Sequence, residues 1–201
     1  MEKINLVQGS DAWHRCRVGS IGGSSIATAV AGGSGKTRKT LMYRMAAEIA
    51  TGTKFDSYTN VDMERGVALE PDCRRLYEFI KDVDVEQVGL IRTEAHKHVS
   101  PDGLCVDDGM IEIKCPRSST HVETIDRMQV PAQYRKQIQW SLSITGRQWC
   151  DFVSYCPEIE DKPIVIIRMT RDEKLIQALA EGADKFIAEM LEIVKKIKEA
   201  T

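Results

Sequence analysis

Two carboxylates and one ammonium are spaced so that a single β-hairpin can gather them. Asp102 follows Ser100 and Pro101, nine residues separate it from Glu112, and Lys114 stands two positions further on. Side chains two apart on a strand point to the same face of a sheet. Asp102 lies where one strand of the hairpin would begin, and the other two charged residues lie on its partner. The sequence therefore predicts that the three groups meet at one edge of the hairpin.

This charged cluster has the composition of a metal-assisted hydrolytic site. Two carboxylates with nothing between them repel, so one would take up a proton unless a divalent cation lay between them. Hard oxygen ligands suit Mg²⁺, which usually keeps several waters and takes other ligands from phosphate. Lys114 beside such a cation could orient or deprotonate the attacking water and stabilise charge that develops on a phosphate.

A second interpretation is that Glu112 and Lys114 form an exposed cross-strand pair, which is common in proteins. Both residues alternate with the apolar residues Ile111, Ile113 and Cys115, which is the pattern of a half-buried strand. The alternation favours a functional charged face, and the exposed pair remains the alternative interpretation.

The segment Gly33-Ser34-Gly35-Lys36-Thr37 resembles the end of a phosphate-binding P-loop. That motif needs a glycine five positions before Gly35, where this chain has Val30, and it needs a buried strand before the loop. Residues 21–31 are small and interrupted by glycine, so an NTPase is disfavoured. The segment is interpreted as a loop whose basic residues meet DNA phosphates, or as a solvated loop.

The elements that must position the cluster are a β-meander and the helices around it. Apolar periodicity predicts helices over 37–50, 65–80, 131–145 and 172–199. Strands are predicted over 85–91, 103–106, 110–114, 149–155 and 164–169, with a hairpin turn at Asp107-Asp108-Gly109. Segments 19–25 and 32–35 are predicted to be turns or loops. The second helix is predicted to bury Leu69, Cys73, Leu76 and Phe79. This order indicates an α/β fold with a mixed central β-sheet flanked by helices.

Composition narrows the classes of protein that fit. With 201 residues, 42% hydrophobic and 29% charged, the chain is expected to be one soluble domain over residues 1–201. No apolar run approaches the ~18 residues of a membrane span, and no secretory signal is visible. We therefore expect a cytosolic protein whose six scattered cysteines stay reduced and bind no zinc.

Charge is uneven along the chain. The net charge of −2 argues against a protein that simply coats nucleic acid. Residues 1–50, however, hold seven Lys or Arg residues against three acidic ones. This excess indicates either a local anionic partner or a chance asymmetry of a solvated surface.

Five segments together resemble nucleases of the PD-(D/E)xK type, in the branch of the phage lambda exonuclease family. In chain order they are Trp13–Gly19 with Ser24, Glu64–Gly66 with Glu70, Ser100–Cys105, Glu112–Pro116 and Tyr134–Gln139. The motifs span about residues 13–155, and the chain departs from the family around Gly22-Gly23 and in the loop over 30–40. The resemblance implies a restriction-endonuclease-like core followed by a C-terminal amphipathic helix.

The resemblance also implies a metal centre. Asp102, Glu112 and the carbonyl of Ile113 would bind Mg²⁺, as two ions for which Mn²⁺ can substitute, and Glu70 would be a further metal or water contact. Without the family, Glu70 would be read as an ordinary glutamate on a helix surface.

Further roles follow from the same resemblance. Lys114 would serve the attacking water, and Gln137 would lie near the attacked phosphate, although a polar helix face would also explain it. Arg17 and Ser24 would bind a terminal 5′-phosphate, since an arginine fork and a hydroxyl suit a phosphate monoester. Ser100 would add a hydroxyl to that pocket or to the metal site.

The implied activity is that of a Mg²⁺-dependent 5′→3′ double-strand DNA exonuclease in the cytoplasm of a bacterial host. It would release mononucleotides and leave 3′ overhangs for a single-strand-annealing recombinase. The resemblance further implies a cyclic homotrimer around DNA, with basic residues near the channel: Lys36, Arg38, Lys39 or Arg44. The alternatives are a restriction or repair endonuclease on the same core, which would cut closed circular DNA, and a non-catalytic DNA-binding or annealing protein, which would have no use for the charged cluster.

Overall fold

The computed structural model describes residues 1–33, 35–55, 61–105 and 108–199. The helices in these ranges are α1 Asp11–Cys16, α2 Gly23–Ala29, α3 Lys36–Thr51, α4 Val61–Lys81, α5 Ser118–Arg127, α6 Ala132–Thr145 and α7 Glu173–Glu199. The strands are β1 Glu2–Ile4, β2 Val85–Glu86, β3 Leu90–Glu94, β4 Lys97–Val99, β5 Gly103–Cys105, β6 Gly109–Lys114, β7 Trp149–Tyr155 and β8 Ile164–Thr170. Val106 and Asp107 of the expected hairpin, and Ser34 of the glycine-rich loop, lie outside the described residues.

The larger sheet is mixed. Its strand order among the described residues is β2-β5-β6-β7-β8, and a smaller antiparallel sheet has the order β1-β3-β4. β5 and β6 pair antiparallel, whereas β6 and β7 pair parallel. The parallel pair needs a crossover, which α5 and α6 supply. The predicted fold class, a mixed sheet flanked by helices, is confirmed.

The alternation along β6 sends its side chains to two different helix layers. Met110 joins the core that α2, α3, α6 and α7 form, around Trp140 and Phe186. Ile111 and Ile113 join a second core on the opposite face, where α4 packs. Glu112 lies two residues from Met110 and therefore faces α6. The sheet thus carries Glu112 towards one helix layer and holds α4 behind it.

The predicted strand over 85–91 is wrong, because this segment divides between the two sheets. β2 pairs with β5, and β3 pairs with β1 and β4. The chain passes from one sheet to the other at Gly89, which lies against the backbone of Leu6. A Cβ atom at this glycine would be 2.1 Å from the Leu6 carbonyl oxygen, so only glycine allows this approach.

The predicted buried stripe of α4 is also wrong in part. Cys73 is buried, but Phe79 is 84% exposed and Tyr77 occupies the core position. The Tyr77 hydroxyl donates to Asp151 Oδ2 at 2.9 Å, which fixes this helix face against the sheet. Phe79 is two residues further along, about 200° around the helix, and therefore points to solvent.

Short elements were not predicted from the sequence: α1, α2, α5, β1 and β4. The segment 19–25, expected to be a turn, contains the start of α2 at Gly23. Helices this short are marginal by themselves, and α2 is held by burial of Ile26 and Ala29 in the core. The same helix ends three residues before Gly32, so a helix stands where a P-loop requires a buried strand.

Candidate active site

The hairpin of β5 and β6 brings the predicted charged residues together. Asp102, just before β5, accepts a hydrogen bond at Oδ2 from the Ile113 N–H of β6 at 2.6 Å. On β6, the Lys114 ammonium forms an ion pair with Glu112 Oε1. The Ile113 carbonyl belongs to the same stretch of strand. The three side chains therefore meet as the spacing predicts, and their catalytic roles stay predictions.

Glu112 is 3% exposed, so the alternative of an exposed pair with Lys114 is wrong. A buried carboxylate must be hydrogen-bonded or paired, and Glu112 is held from two sides. Its Oε1 atom also accepts from Gln137 Nε2 of α6 at 2.5 Å. Tyr134, one turn earlier on α6, places its ring centre 5.3 Å from the Lys114 ammonium nitrogen. Gln137 thus reaches the cluster through Glu112.

Helix α4 places Glu70 near Asp102, and both residues line one cleft. Glu70 forms an ion pair with Arg74, one turn further along the helix. Arg74 is buried, and its Nε atom donates to the Asp102 carbonyl oxygen at 3.1 Å. Arg74 was not singled out in the sequence. Its position four residues after Glu70, a spacing at which helix side chains meet, is the signal that could have found it.

Burial and crowding of like charges shape the electrostatics of the cluster. Burial raises the pKa values of Glu70 and Asp102 above their ordinary range, and the charge of Asp102 adds to the effect on Glu70. Burial likewise raises the pKa of Glu112 to about 7, opposed by Lys114 and reinforced by Asp102. For Lys114, burial lowers the pKa, but the charges of Glu112 and Asp102 outweigh it and raise the pKa above its usual value.

These residues fit a magnesium site of the kind completed by water and phosphate. In the described part of the chain, no group of three or more His, Cys, Asp or Glu side chains is arranged to hold a metal by itself. Mg²⁺ commonly takes only one or two carboxylates together with water and substrate phosphate. Asp102, Glu112 and the Ile113 carbonyl are oxygen donors of this type. A bound cation would also relieve the repulsion that raises the carboxylate pKa values.

Two cavities adjoin each other, and the larger one reaches the cluster. The cleft, about 1260 Å³ in volume, is lined by Glu70, Arg74 and Asp102 among others. A neighbouring pocket of about 510 Å³ lies between α2 and α3. Arg17 and Ser24 line both the cleft and the pocket. The pocket therefore adjoins the cleft that Glu70 and Asp102 line.

The pocket has the chemistry of a phosphate site. Four cationic side chains line it: Arg17, Lys36, Arg44 and Lys54. Hydroxyl groups line it too: Ser20, Ser24, Ser25, Thr28, Thr37 and Thr40. Behind the cations, the buried carboxylate of Glu48 accepts from Lys54 Nζ at 2.8 Å. Lys54 was not predicted, because it stands in a segment with no recognisable motif.

Three of the predicted DNA-contact residues lie outside both cavities. The Arg38 guanidinium pairs with Glu189 of α7 at 2.7 Å and donates from Nε to the Ala29 carbonyl oxygen. Lys39 is exposed on α3. The Ser100 hydroxyl accepts from Trp13 Nε1 at 3.0 Å, so in this structure it supports the wall of the cleft.

Comparison with known proteins identifies the family to which this arrangement belongs. Residues 12–148, more than half of the chain, match the YqaJ-like viral recombinase domain. The chain belongs to this family. The predicted relationship to phage lambda exonuclease is confirmed.

Solved structures agree with this assignment. The alkaline exonuclease LHK-Exo from Laribacter hongkongensis is 36% identical, with a TM-score of 0.88 over 95% of this chain and 97% of that one. A structure of LHK-Exo in complex with dAMP matches equally well. The phage-related exonuclease from Haemophilus somnus 129PT is 16% identical and shares the fold, with a TM-score of 0.71 over 90% of this chain and 96% of that one.

Two further findings are negative. Curated protein sequences give no match. None of the helices in the described ranges is long and apolar enough to cross a membrane. Family membership and the shared fold together support a nuclease role for the chain.

Proposed function

We propose that this chain is a Mg²⁺-dependent 5′→3′ double-strand DNA exonuclease that releases mononucleotides and leaves 3′ single-stranded overhangs. The observation that carries the proposal is that the cleft lined by Glu70 and Asp102 adjoins the basic pocket, with Arg17 and Ser24 lining both. The exonuclease activity of the related LHK-Exo, and its complex with a nucleoside monophosphate, support it.

The pocket accounts for the choice of a DNA end. A terminal 5′-phosphate carries more charge than an internal phosphodiester, and Arg17 can offer it a planar fork of N–H donors. A strand whose 5′ end is held there would present its first phosphodiester to the cluster. Hydrolysis at that bond releases one nucleotide, and repetition moves in the 5′→3′ direction.

Each residue of the cluster has a definite task in this proposal. Asp102, Glu112 and the Ile113 carbonyl, with Glu70, would hold Mg²⁺, which when bound supplies Lewis-acid stabilisation of phosphate charge. Lys114 is held by its ion pair with Glu112 and is available to donate a hydrogen bond to the attacking water or a phosphate oxygen.

Gln137 and Arg74 hold the metal-binding carboxylates in place. Gln137 Nε2 donates to Glu112, while Arg74 pairs with Glu70 and donates to the Asp102 carbonyl oxygen. Groups that are fixed before the substrate arrives need no reorganisation during the reaction, which is how preorganised sites lower barriers. Gln137 also lies near enough to the cluster to contact the attacked phosphate.

We further propose a cyclic homotrimer that encircles duplex DNA and passes the overhang to a single-strand-annealing recombinase. A net charge of −2 leaves little basic surface for holding DNA by charge alone. Closed symmetry would face the basic pockets of several copies towards one duplex. Lys36 and Arg44 line the pocket and Lys39 is exposed beside it, whereas the ion pair of Arg38 with Glu189 directs Arg38 to α7.

Digestion of matched DNA forms tests the proposal. Linear duplex with 5′-phosphate ends is expected to be degraded with Mg²⁺, while a covalently closed circle of the same sequence stays intact. Asp102→Asn, which removes one metal-binding carboxylate, serves as the inactive control. Cutting of the closed circle would instead indicate an endonuclease, and binding without nucleotide release, insensitive to chelation, would indicate a DNA-binding protein.

A further inference from the structure

His98 is hydrogen-bonded directly to Arg17, the pocket arginine. Arg17 Nε lies 3.1 Å from His98 Nε2, and His98 Nδ1 lies 2.8 Å from Ser20 Oγ. A guanidinium can only donate hydrogen bonds, so His98 Nε2 is the acceptor. In a neutral imidazole the proton then resides on Nδ1, and the Ser20 hydroxyl oxygen accepts a hydrogen bond from this N–H. The donor-only guanidinium of Arg17 thereby fixes the tautomer, and the Ser20 hydroxyl holds the opposite side of the ring.

The surroundings of His98 keep it in this accepting state. His98 belongs to β4, and the residue is 3% exposed. Burial, together with the charges of Arg17 and Lys54, lowers the pKa of His98 to about 3. Gly22 packs against the ring, and a Cβ atom there would lie 2.7 Å from His98 Nε2. The ring is therefore fixed in position as well as in protonation.

A second contact holds the face of the guanidinium. The Arg17 Cζ atom lies 3.8 Å from the centre of the Trp13 ring. Trp13 is itself anchored, because its Nε1 atom donates to the Gly89 carbonyl oxygen at 2.9 Å and to Ser100 Oγ. With Nε bound to His98 and one face on Trp13, the two terminal nitrogens of Arg17 form the edge that can fork a phosphate.

We propose that His98, held on its opposite side by Ser20, is a positioning residue that aims the Arg17 guanidinium at the 5′-phosphate of a DNA end. This inference rests on the proposed 5′-phosphate pocket. His98 touches no reacting atom, so it governs the preference for phosphorylated ends and leaves the hydrolytic cluster as it is.

The test compares kcat/KM on 5′-phosphorylated and 5′-hydroxyl duplexes of one sequence. His98→Phe keeps an aromatic ring but removes the acceptor, and we expect the phosphate preference to fall by about tenfold or more. Activity of the same variant on 5′-hydroxyl ends is the reference, so the readout is the ratio of the two kcat/KM values. His98→Gln, whose amide oxygen can accept from Arg17 Nε, should restore part of the preference.

The matched control is His121→Phe. His121 is also fully buried, and it also has Nδ1 on a serine hydroxyl, that of Ser154 at 2.8 Å. It lines neither cavity, so the substitution should leave the preference unchanged. A general effect of replacing a buried histidine would appear in both variants.

The outcomes separate the two levels of the proposal. A wild-type protein that degrades both ends equally well would overturn the 5′-phosphate pocket itself. A wild-type preference that His98→Phe retains would overturn the positioning role alone. If His98→Phe shows no cooperative thermal unfolding, His98→Leu decides, because it removes the acceptor with a smaller side chain. A reduced preference in folded His98→Leu supports the role, and an unchanged one overturns it.

Discussion

Replacing Lys114 with alanine removes the ammonium that pairs with Glu112 while leaving the oxygen donors of the cluster in place. Gln137 still donates to Glu112 Oε1, and the Ile113 N–H still holds Asp102. The substitution therefore isolates the electrostatic contribution of one charge beside the attacked phosphate. Loss of one such stabilising group typically lowers turnover by ~10²–10³-fold, or ~3–4 kcal/mol in the barrier.

Single-turnover release of acid-soluble nucleotides from linear duplex, with Mg²⁺ in excess, measures this effect. Binding of the same duplex, followed by fluorescence anisotropy, should be nearly unchanged because Lys114 lies outside the basic pocket. Lys162→Ala is the matched control, since Lys162 is exposed and lines neither cavity. Near-normal nucleotide release by a folded Lys114→Ala protein would refute the assignment of the active site.

The folding of Lys114→Ala needs a separate measurement. Removal of one partner of a buried ion pair can destabilise a protein strongly, because the other charge is left uncompensated. In the metal-free protein Glu112, whose pKa burial already raises to about 7, can instead take up a proton, and Mg²⁺ in excess competes with that proton in the activity assay. Thermal unfolding of the variant should therefore stay cooperative, and Lys114→Met, which keeps the apolar stem, should give the same loss of turnover.

Three other results are expected. Arg17→Ala should narrow the preference for 5′-phosphorylated over 5′-hydroxyl ends, and Arg17→Lys should not restore it fully because the guanidinium fork is lost; equal preference in all three proteins would contradict this. Light scattering after size exclusion should give a mass about three times that of the 22.6 kDa chain, and the mass of one chain would exclude the ring. The pKa of His98 is about 3 in the folded protein and about 6.5 in the unfolded chain. The free energy of unfolding should therefore decrease as the pH falls below about 6.5. Relative to His98→Gln, the wild type should lose about 3 kcal/mol by pH 4, as measured by urea unfolding, whereas a pH-independent difference would show that His98 is not buried in a neutral state.

Local patterns explain what could be predicted from the sequence. Glu112 and Lys114 share a face because of the period of a strand, and this relation depends on neighbouring residues only. The strand over 149–155 and the helix over 172–199 follow from the same kind of periodicity, and the structure confirms both as β7 and α7. Asp102 needed one further assumption, a hairpin, and β5 and β6 do pair in that way.

Non-local contacts explain what could not be predicted. His98 and Ser20 are 78 residues apart, and only the pairing of distant segments makes them neighbours. On α4, apolar character favours Phe79 as much as Tyr77 for the core, and the buried hydrogen bond of Tyr77 to Asp151 decides between them. From the sequence alone, Arg74 would be assigned to the helix surface. Its hydrogen bond to the Asp102 carbonyl oxygen depends on a contact between distant segments.

The sizes of the products from end-labelled linear duplex test the central claim most directly. One strand of a blunt duplex carries its label at the 5′ end and, in a parallel reaction, at the 3′ end, with and without EDTA. The account predicts that the 5′ label appears first as a mononucleotide, that the 3′-labelled strand shortens progressively, and that EDTA abolishes both. Release of the 3′ label first, internal fragments without mononucleotides, or digestion that continues in EDTA would contradict it.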